Sequence, residues 1–270
     1  MILKTFRAQV GEFQTFTNMY VVFDEETKEG ILIDAGAGAD KIINYIENMN
    51  VKLKYIILTH CHVDHVADLR KIRKDFPRVP IVINEEDAEG LAKAEVNMCE
   101  LLGVENNFLD ADILVKDGDV LTFGNVTAQL IHTPGHTAGS MSILIEDALF
   151  SGDTLFKGTR GRTDLPTGSE REILWSIKDK LLKLPEETIV YPGHGSTTII
   201  RDEKEWYVEE WYNRLFHYKS KSKKYLQIIS EYSIMKKSKW LAWGAELADA
   251  HDSKSCGKPC GFKSHLGHQV

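Results

Sequence analysis

Two histidines two positions apart, followed closely by an aspartate and a third histidine, form a dense group of metal-binding side chains. His60, His62, Asp64 and His65 come directly after the apolar run 55–58. In an extended segment, residues two apart point the same way, so the imidazoles of His60 and His62 can face one site. Asp64 and His65 then begin the next helix and can reach a neighbouring point. These nitrogen and oxygen ligands suit zinc, iron or manganese.

Three further candidate ligands occupy the same position relative to apolar runs. His136, Asp153 and His194 each follow such a run, and each lies beside a glycine. Glycine lets the backbone turn sharply and brings the ligand to the edge of a sheet. Seven such ligands are more than one tetrahedral zinc needs. The sequence therefore predicts two divalent ions, roughly 3.5–4 Å apart and bridged by a carboxylate and a water or hydroxide.

Other residues near these ligands leave more than one interpretation open. Cys61 lies between two of the histidines and should point away from their shared face, so we expect it to pack in the interior. Asp34 follows an apolar run and fits equally well as an outer contact of a ligand or as an ordinary turn aspartate. Near the C-terminus, Cys256 and Cys260 are spaced too loosely with the nearby histidines to predict a zinc site.

The elements that must position these residues follow from the spacing of apolar side chains. In each half of the first two hundred residues, strands come first and a helix comes afterwards. Strands are predicted at 2–10, 19–23, 31–33, 55–58, 81–83, 120–123, 126–131, 142–145, 148–150 and 189–191, and helices at 41–49, 64–76 and 170–184. This order indicates a sheet-containing core with helices packed outside it.

The overall composition of the chain excludes several classes of protein. The chain has 270 residues, of which 43% are hydrophobic and 27% charged, with a formal net charge of −7. The acidic balance argues against a nucleic-acid binder. Lys4 and Arg7 interrupt the N-terminus before a signal-peptide core can form, and no apolar stretch reaches the ~18 residues of a membrane span. The four cysteines are too few for a disulfide framework, so we expect a cytoplasmic protein without membrane contact.

A change of composition near residue 202 predicts two parts, a catalytic domain at 1–205 and a helical extension with a flexible end at 206–270. Tyr207, Trp211 and Leu215 share one helical stripe. We expect the aromatic stripes to pack on the core or to join two copies of the chain into a homodimer. The basic run 219–224 could attract substrate carboxylates, but a solvated connection between helices is the favoured interpretation.

These motifs resemble the metallo-β-lactamase superfamily, with its His-x-His-x-Asp-His signature, over about residues 1–205. The resemblance implies an αβ/βα sandwich of two facing mixed β-sheets flanked by helices. Several segments are similar to the glyoxalase II-like branch, the hydroxyacylglutathione hydrolases: TNMY (17–20), IDAG (33–36), TPGHTAGS (133–140), SGDTLF (151–156), GRTDLP (161–166) and YPGHG (191–195).

By position in the superfamily motifs, the resemblance assigns the ligands to two metals, with zinc as the expected ion and iron or manganese as alternatives. The first metal would take His60, His62 and His136, the second Asp64, His65 and His194, and Asp153 would bridge them. Asp64 and Asp153 are also expected to take part in catalysis. An aspartate at the bridging place and a histidine at 65 argue against the β-lactamase subclass with a cysteine ligand.

The preferred function is hydrolysis of a small-molecule thioester such as S-lactoylglutathione, in which a metal-bound hydroxide attacks the carbonyl. The main alternative is a persulfide dioxygenase of the same superfamily, which the segments 59–62 and 161–164 also resemble. It would use one iron held by His60, His136 and Asp153. Lactonases and nucleases of the superfamily are further alternatives, and the acidic charge weighs against a nuclease. The complete ligand set argues against a protein that only binds metal.

Overall fold

Two β-sheets of six strands each lie at the centre of the part of the chain that the computed structural model describes, residues 1–10, 16–101, 103–104 and 109–207. Of the extension predicted at 206–270, only residues 206 and 207 are described, and the predicted homodimer contact, the basic run and the two cysteines beyond them lie outside the described residues. Among the described helices, none combines the length and the apolar character that crossing a membrane requires.

The strands of the first sheet lie in the same order in space as in the sequence: β1 (Ile2–Gln9), β2 (Phe16–Phe23), β3 (Glu29–Ile33), β4 (Lys52–Ile57), β5 (Ile81–Asn84) and β6 (Ile113–Val115). β1, β2 and β3 are antiparallel neighbours, whereas β3 to β6 run parallel. The start of β2 and the carboxyl ends of β3, β4 and β5 therefore meet at one edge of the sheet.

The second sheet has the spatial order β14-β13-β10-β9-β8-β7. Its strands are β7 (Val120–Phe123), β8 (Val126–His132), β9 (Met141–Ile145), β10 (Ala148–Gly152), β13 (Ile189–Pro192) and β14 (Thr198–Ile199), and β11 (Leu155–Phe156) and β12 (Thr159–Arg160) form a separate hairpin. β9 is antiparallel to β8 and β10, and β13 is parallel to β10. The carboxyl ends of β8, β10 and β13 consequently lie at the same edge.

The helices connect the strands and cover the outer faces of the sheets. They are α1 (Ala39–Asn48), α2 (Val63–Val66), α3 (Leu69–Asp75), α4 (Glu85–Ala88), α5 (Ala94–Asn97) and α6 (Glu170–Trp175), and residues 200–207 are also helical. A 3₁₀ turn, Glu89–Ala92, follows α4. The helix predicted at 170–184 continues beyond α6 as a π turn, Ser176–Lys180, and a 3₁₀ turn, Leu181–Lys183.

The single helix predicted at 64–76 is wrong, because α2 and α3 are separate. Asp68 lies at the break between them, and its Oδ2 accepts hydrogen bonds from the backbone N–H of Gly38 at 2.8 Å and of Ala39 at 2.9 Å. The carboxylate thereby satisfies free N–H groups at the start of α1. At the break the Asp68 N–H donates to the Ala35 carbonyl at 2.9 Å instead of to the carbonyl four residues earlier, so the helical bonding is interrupted.

Alternating side chains show how the layers pack. In β2, Met19, Val21 and Phe23 face α1 and α3, whereas Tyr20 and Val22 face the second sheet. This period of two, with both faces buried, is typical of a strand inside a layered core. A third cluster joins the second sheet to α6 and to the helix at 200–207, where Tyr207 is buried. The layers form the predicted αβ/βα sandwich.

Candidate metal centre

All seven predicted ligands converge where the carboxyl ends of the strands meet. The structure groups ligand atoms of His60, His62 and His136, of His60, His65 and Asp153, and of Asp64, His65 and His194, with the atoms of each group within 4.8 Å of one another. Five of these side chains are buried. The side chains of Asp64 and His194 are 21% and 24% exposed, so the centre opens to solvent at these two residues.

The segment after β4 is fixed by Asp34, at the end of β3. The Asp34 carboxylate accepts hydrogen bonds from the Thr59 N–H at 2.7 Å and from Thr59 Oγ1 at 2.9 Å. Because the Thr59 hydroxyl gives its one proton to Asp34, it accepts at 3.0 Å from Nδ1 of His60. The Nε2 atom of His60 is thereby left to face the centre.

Asp34 also orients His65, whose Nδ1 lies 2.7 Å from Asp34 Oδ2. A carboxylate only accepts, so Nδ1 carries the proton and Nε2 faces Asp64 and Asp153, at 3.6 Å and 3.4 Å. Asp34 is 1% exposed and has a positive φ of 61°, a conformation that costs a non-glycine residue free energy. The structure supports the interpretation of Asp34 as an outer contact of a ligand.

Backbone carbonyl groups orient two further histidines. Nδ1 of His136 donates to the carbonyl of Arg162 at 2.8 Å, and Nδ1 of His194 donates to the carbonyl of Phe16 at 2.9 Å. Their Nε2 atoms therefore point inward. That of His136 lies 2.9 Å from Nδ1 of His62, and that of His194 lies 3.2 Å from Asp153 Oδ2.

Buried atoms at the centre indicate that metal ions fit it. Within the described chain, Nε2 of His60, His62 and His65 and Oδ1 of Asp153 are buried without a hydrogen-bond partner. Burying such atoms without a partner is unfavourable. Metal ions would satisfy atoms of this kind, and imidazole nitrogen and carboxylate oxygen are suitable ligands. These residues form a His/Asp metal-binding cluster.

The local charges divide the centre into two halves. Burial, together with His136, lowers the pKa of His62 to about 3, and burial beside the other histidines lowers the pKa of His60 well below its usual value. Although burial opposes it, Asp153 raises the pKa of His194 to about 10. Against the same opposition from burial, Asp64 and Asp34 raise the pKa of His65.

The pKa values of the two carboxyl groups are lowered. Burial opposes this shift, but His65 and His194 lower the pKa of Asp64, and His194 and His65 lower that of Asp153. In the absence of metal, the half with Asp64, His65 and His194 therefore holds ionised carboxylates beside protonated histidines. In the other half, His60 and His62 are neutral. Neutral imidazole and ionised carboxylate are the forms that bind metals.

Residues at the start of β2 support the centre, although no individual role was predicted for them from the sequence. Thr17 Oγ1 donates to Asp64 Oδ2 at 3.0 Å. Asn18 Nδ2 donates to the carbonyls of Pro192 at 2.9 Å and Gly195 at 3.1 Å, and the Tyr20 hydroxyl donates to the Pro192 carbonyl at 2.6 Å. The segment 17–20 carried the family resemblance, and it positions the segment that contains His194.

Cys61 packs in the interior, as predicted. It is fully buried within the cluster that lies between the first sheet and its helices. Burial, and then the nearby Asp87 carboxylate, raise the pKa of its thiol well above the usual value. A thiol kept protonated is a poor nucleophile and a poor metal ligand.

Sequence comparison finds similarity to metal-dependent hydrolases. Residues 13–194 match the family described as the metallo-beta-lactamase superfamily. The chain is 35% identical over 206 residues to a probable metallo-hydrolase, YqgX, of Bacillus subtilis, covering 75% of this chain and 95% of that protein. It is 34% identical over 191 residues to the hydroxyacylglutathione hydrolase GloC of Haemophilus influenzae, covering 69% of this chain and 89% of that protein.

Solved structures show the same architecture. The BLEG-1 B3 metallo-beta-lactamase has a TM-score of 0.68 and 34% identity, covering 76% of this chain and 97% of that one. TTHA1623 in a di-iron-bound form has a TM-score of 0.63 and 30% identity, covering 74% and 96%. ETHE1 from Myxococcus xanthus has a TM-score of 0.62 and 28% identity, covering 76% and 82%.

Proposed function

The chain belongs to the metallo-β-lactamase superfamily, and from that membership we infer that it is a metal-dependent hydrolase acting on a thioester of glutathione or of a related thiol, such as S-lactoylglutathione. The observation that carries the metal dependence is the cluster of buried, unpaired nitrogen and oxygen atoms at the sheet edges. The similarity to the hydroxyacylglutathione hydrolase of Haemophilus influenzae supports the substrate class.

The ligand groups in the structure agree with the assignment to two ions. His60, His62 and His136 would hold the first and Asp64, His65 and His194 the second, with Asp153 shared between them. When bound, the ions would supply an activated water as nucleophile and Lewis acidity toward the carbonyl oxygen. Zinc is the proposed ion, and the di-iron form of TTHA1623 shows that a structurally similar protein takes iron.

The residues of the chain orient the ligands and leave one side open to substrate. Asp34, Thr59 and the carbonyls of Phe16 and Arg162 hold the outward nitrogens of four histidines, so their inward nitrogens are fixed before metal binds. Asp64 and His194, the exposed members of the set, mark the side from which a substrate carbonyl approaches. Asp64 and Asp153 stay ionised and provide negative charge at that side.

Thioester chemistry requires little else from the protein. A thiol has a pKa of about 8.5, so the thiolate leaves readily without an acid to protonate it. Cys61 is not available as a nucleophile, because it is buried and its raised pKa keeps it protonated. The outward nitrogens of the oriented histidines are already bonded, which agrees with a reaction that needs no separate proton donor.

Substitution of Asp153 tests the proposal. Asp153→Ala should remove both ions and the hydrolysis of S-lactoylglutathione, because the shared ligand is lost; metal analysis and release of free thiol measure the two effects. The control Asp147→Ala changes an exposed aspartate just before β10 and should keep both. Full hydrolysis by Asp153→Ala would remove the role proposed for this residue, and wild-type protein that binds two ions but cleaves only lactones would correct the substrate class.

A second candidate is the persulfide dioxygenase with one iron. Nε2 of His136 lies 3.5 Å from Asp153 Oδ2, and Nε2 of His60 is unpaired in the described chain. These three residues could form the two-histidine, one-carboxylate set that binds iron and leaves positions open. The remaining ligands would then have no metal, so the hydrolase accounts for more of the observed side chains.

A further inference from the structure

A buried carboxylate lies behind the three-histidine half of the centre. Asp87 belongs to α4, directly after β5, and is 2% exposed. Its Oδ2 accepts from the Cys61 N–H at 3.0 Å and from the Thr137 hydroxyl at 2.7 Å, and its Oδ1 accepts from the Gly139 N–H at 2.7 Å. One side chain thus binds two separate segments.

These segments carry the histidines of the first metal. Cys61 lies between His60 and His62, and Thr137 directly follows His136. The first segment continues from β4 of the first sheet and the second from β8 of the second sheet. Asp87 therefore joins the two sheets one residue away from each of the three histidines.

The hydrogen bonds around Asp87 have one consistent direction. The Thr137 hydroxyl gives its one proton to Asp87, so at 2.7 Å it accepts from the hydroxyl of Ser140. Oγ of Ser140 in turn accepts from the Thr137 N–H at 2.9 Å. The turn that follows His136 is closed upon itself and attached to Asp87.

The backbone packs closely around Asp87 and Cys61. A Cβ atom added to Gly139 would lie 2.5 Å from the Asp87 nitrogen and 2.7 Å from its Cβ, and one added to Gly90 would lie 2.6 Å from Sγ of Cys61. All three distances are below normal contact. The backbone thus approaches Asp87 and Cys61 as closely as glycine allows.

We propose that Asp87 is a positioning residue for the metal ion held by His60, His62 and His136, because it sets the distance between the segments that supply them. The inference rests on the part of the proposed function in which these three histidines bind metal. It does not depend on the substrate. Outer contacts of this kind typically change metal affinity by about 10- to 100-fold.

A second buried carboxylate provides a matched control. Glu203 is 2% exposed and accepts from the Thr198 hydroxyl at 2.7 Å and from the Gly158 N–H at 3.0 Å. It also joins separate segments, but within the described residues its hydrogen-bond partners Thr198 and Gly158 are not among the seven candidate ligands. Glu203→Gln should cost fold stability as Asp87→Asn does, without the specific loss of metal.

The experiment measures zinc affinity at the three-histidine half alone, by competition with a chromophoric chelator. His194→Ala removes a ligand of the second ion, and each further variant is made in that background. Asp87→Asn places an amide NH₂ against at least one donor and should weaken zinc binding by about 10- to 100-fold. Glu203→Gln should change the zinc affinity by less than about twofold. Thermal unfolding of each variant measures any general loss of stability.

Thr137 gives an independent test should Asp87→Asn fail to fold. Thr137→Val removes the donor and should weaken zinc binding, whereas Thr137→Ser keeps the hydroxyl and should restore it. The proposal is overturned if Asp87→Asn binds zinc like its parent, if Glu203→Gln loses as much affinity, or if the His194→Ala parent binds no zinc. Because thioester cleavage is not the readout, failure of the proposed hydrolysis would leave this result standing.

Discussion

Gly193 lies so close to Asp153 that any larger residue would displace the proposed bridging carboxylate. A Cβ atom at position 193 would overlap Asp153 Oδ1 and lie 2.7 Å from Cε1 of His65. The backbone of Gly193 is held from both sides, donating to the carbonyl of Gly152 at 2.8 Å and accepting from the Asn18 N–H at 2.7 Å. A side chain at 193 therefore has no free direction in which to move.

Gly193→Ala should consequently bind less metal at both halves of the centre, because Asp153 serves both. Metal analysis after dialysis should find less than one ion per chain, and the wild type about two. Gly118→Ala is a suitable control, since nothing lies within 4 Å of an added Cβ there and only its positive φ of 84° causes strain. It should lower thermal stability and keep the metals. Two tightly bound ions in Gly193→Ala would show that Asp153 is not confined as described.

Asp34 gives a prediction for the other half of the centre. Asp34→Asn leaves one acceptor oxygen for three donors, the Thr59 N–H, the Thr59 hydroxyl and His65 Nδ1, so its NH₂ must face at least one of them. Zinc bound by Asp64, His65 and His194 should therefore weaken by about 10- to 100-fold. Zinc titration of a His136→Ala parent, which lacks a ligand of the first ion, isolates this effect. Asp24→Asn is the matched control, because Asp24 also accepts backbone and hydroxyl hydrogen bonds from Asn125 and Thr27. An unchanged affinity in Asp34→Asn would make Asp34 a turn residue only.

The opposite pKa shifts predict an optimum in the stability of the metal-free protein. The pKa of His62 is lowered from 6.5 to about 3. Below about pH 6.5 the unfolded chain therefore binds this proton more strongly than the folded protein, and the free energy of unfolding falls. The pKa of His194 is raised to about 10. Protonated His194 therefore adds to the free energy of unfolding below about pH 6.5, and this stabilisation is lost as pH rises toward 10. Stability should peak near pH 6.5.

Thermal unfolding of chelator-treated protein from about pH 4 to about pH 9 measures this profile. In zinc-loaded protein the ions take the place of the protons on His65 and His194, so the decline on the alkaline side should disappear. A metal-free profile that rises steadily from pH 6.5 to pH 9 would contradict the charge arrangement described for these histidines.

The sequence predicted the residues of the centre because each follows an apolar run, and apolar runs mark buried strands. The ends of β4, β8, β10 and β13 therefore carry His60, His136, Asp153 and His194 as expected. The separate α2 and α3 were not predicted, because at the break the Asp68 N–H donates to Ala35, a residue of the distant segment between β3 and α1. Local periodicity contains no information about such a partner.

The contacts of Asp34 and Asp87 that support the ligands were harder to predict from the sequence for the same reason. Asp34 could be interpreted in two ways until its bonds to Thr59 and His65 were seen, and these partners are 25 and 31 residues away. Asp87 also follows a buried strand, β5, so the signal that singled out the ligands was present there too. Its acceptor role became clear only when the fold brought Cys61 and Thr137 to it.

Metal content measured together with substrate turnover tests the central claim most directly. Purified protein should contain about two divalent ions per chain and should hydrolyse S-lactoylglutathione, with both properties lost on chelation and recovered when zinc is restored. One iron per chain with oxygen uptake on glutathione persulfide, and no thioester cleavage, would contradict the account and establish the dioxygenase instead.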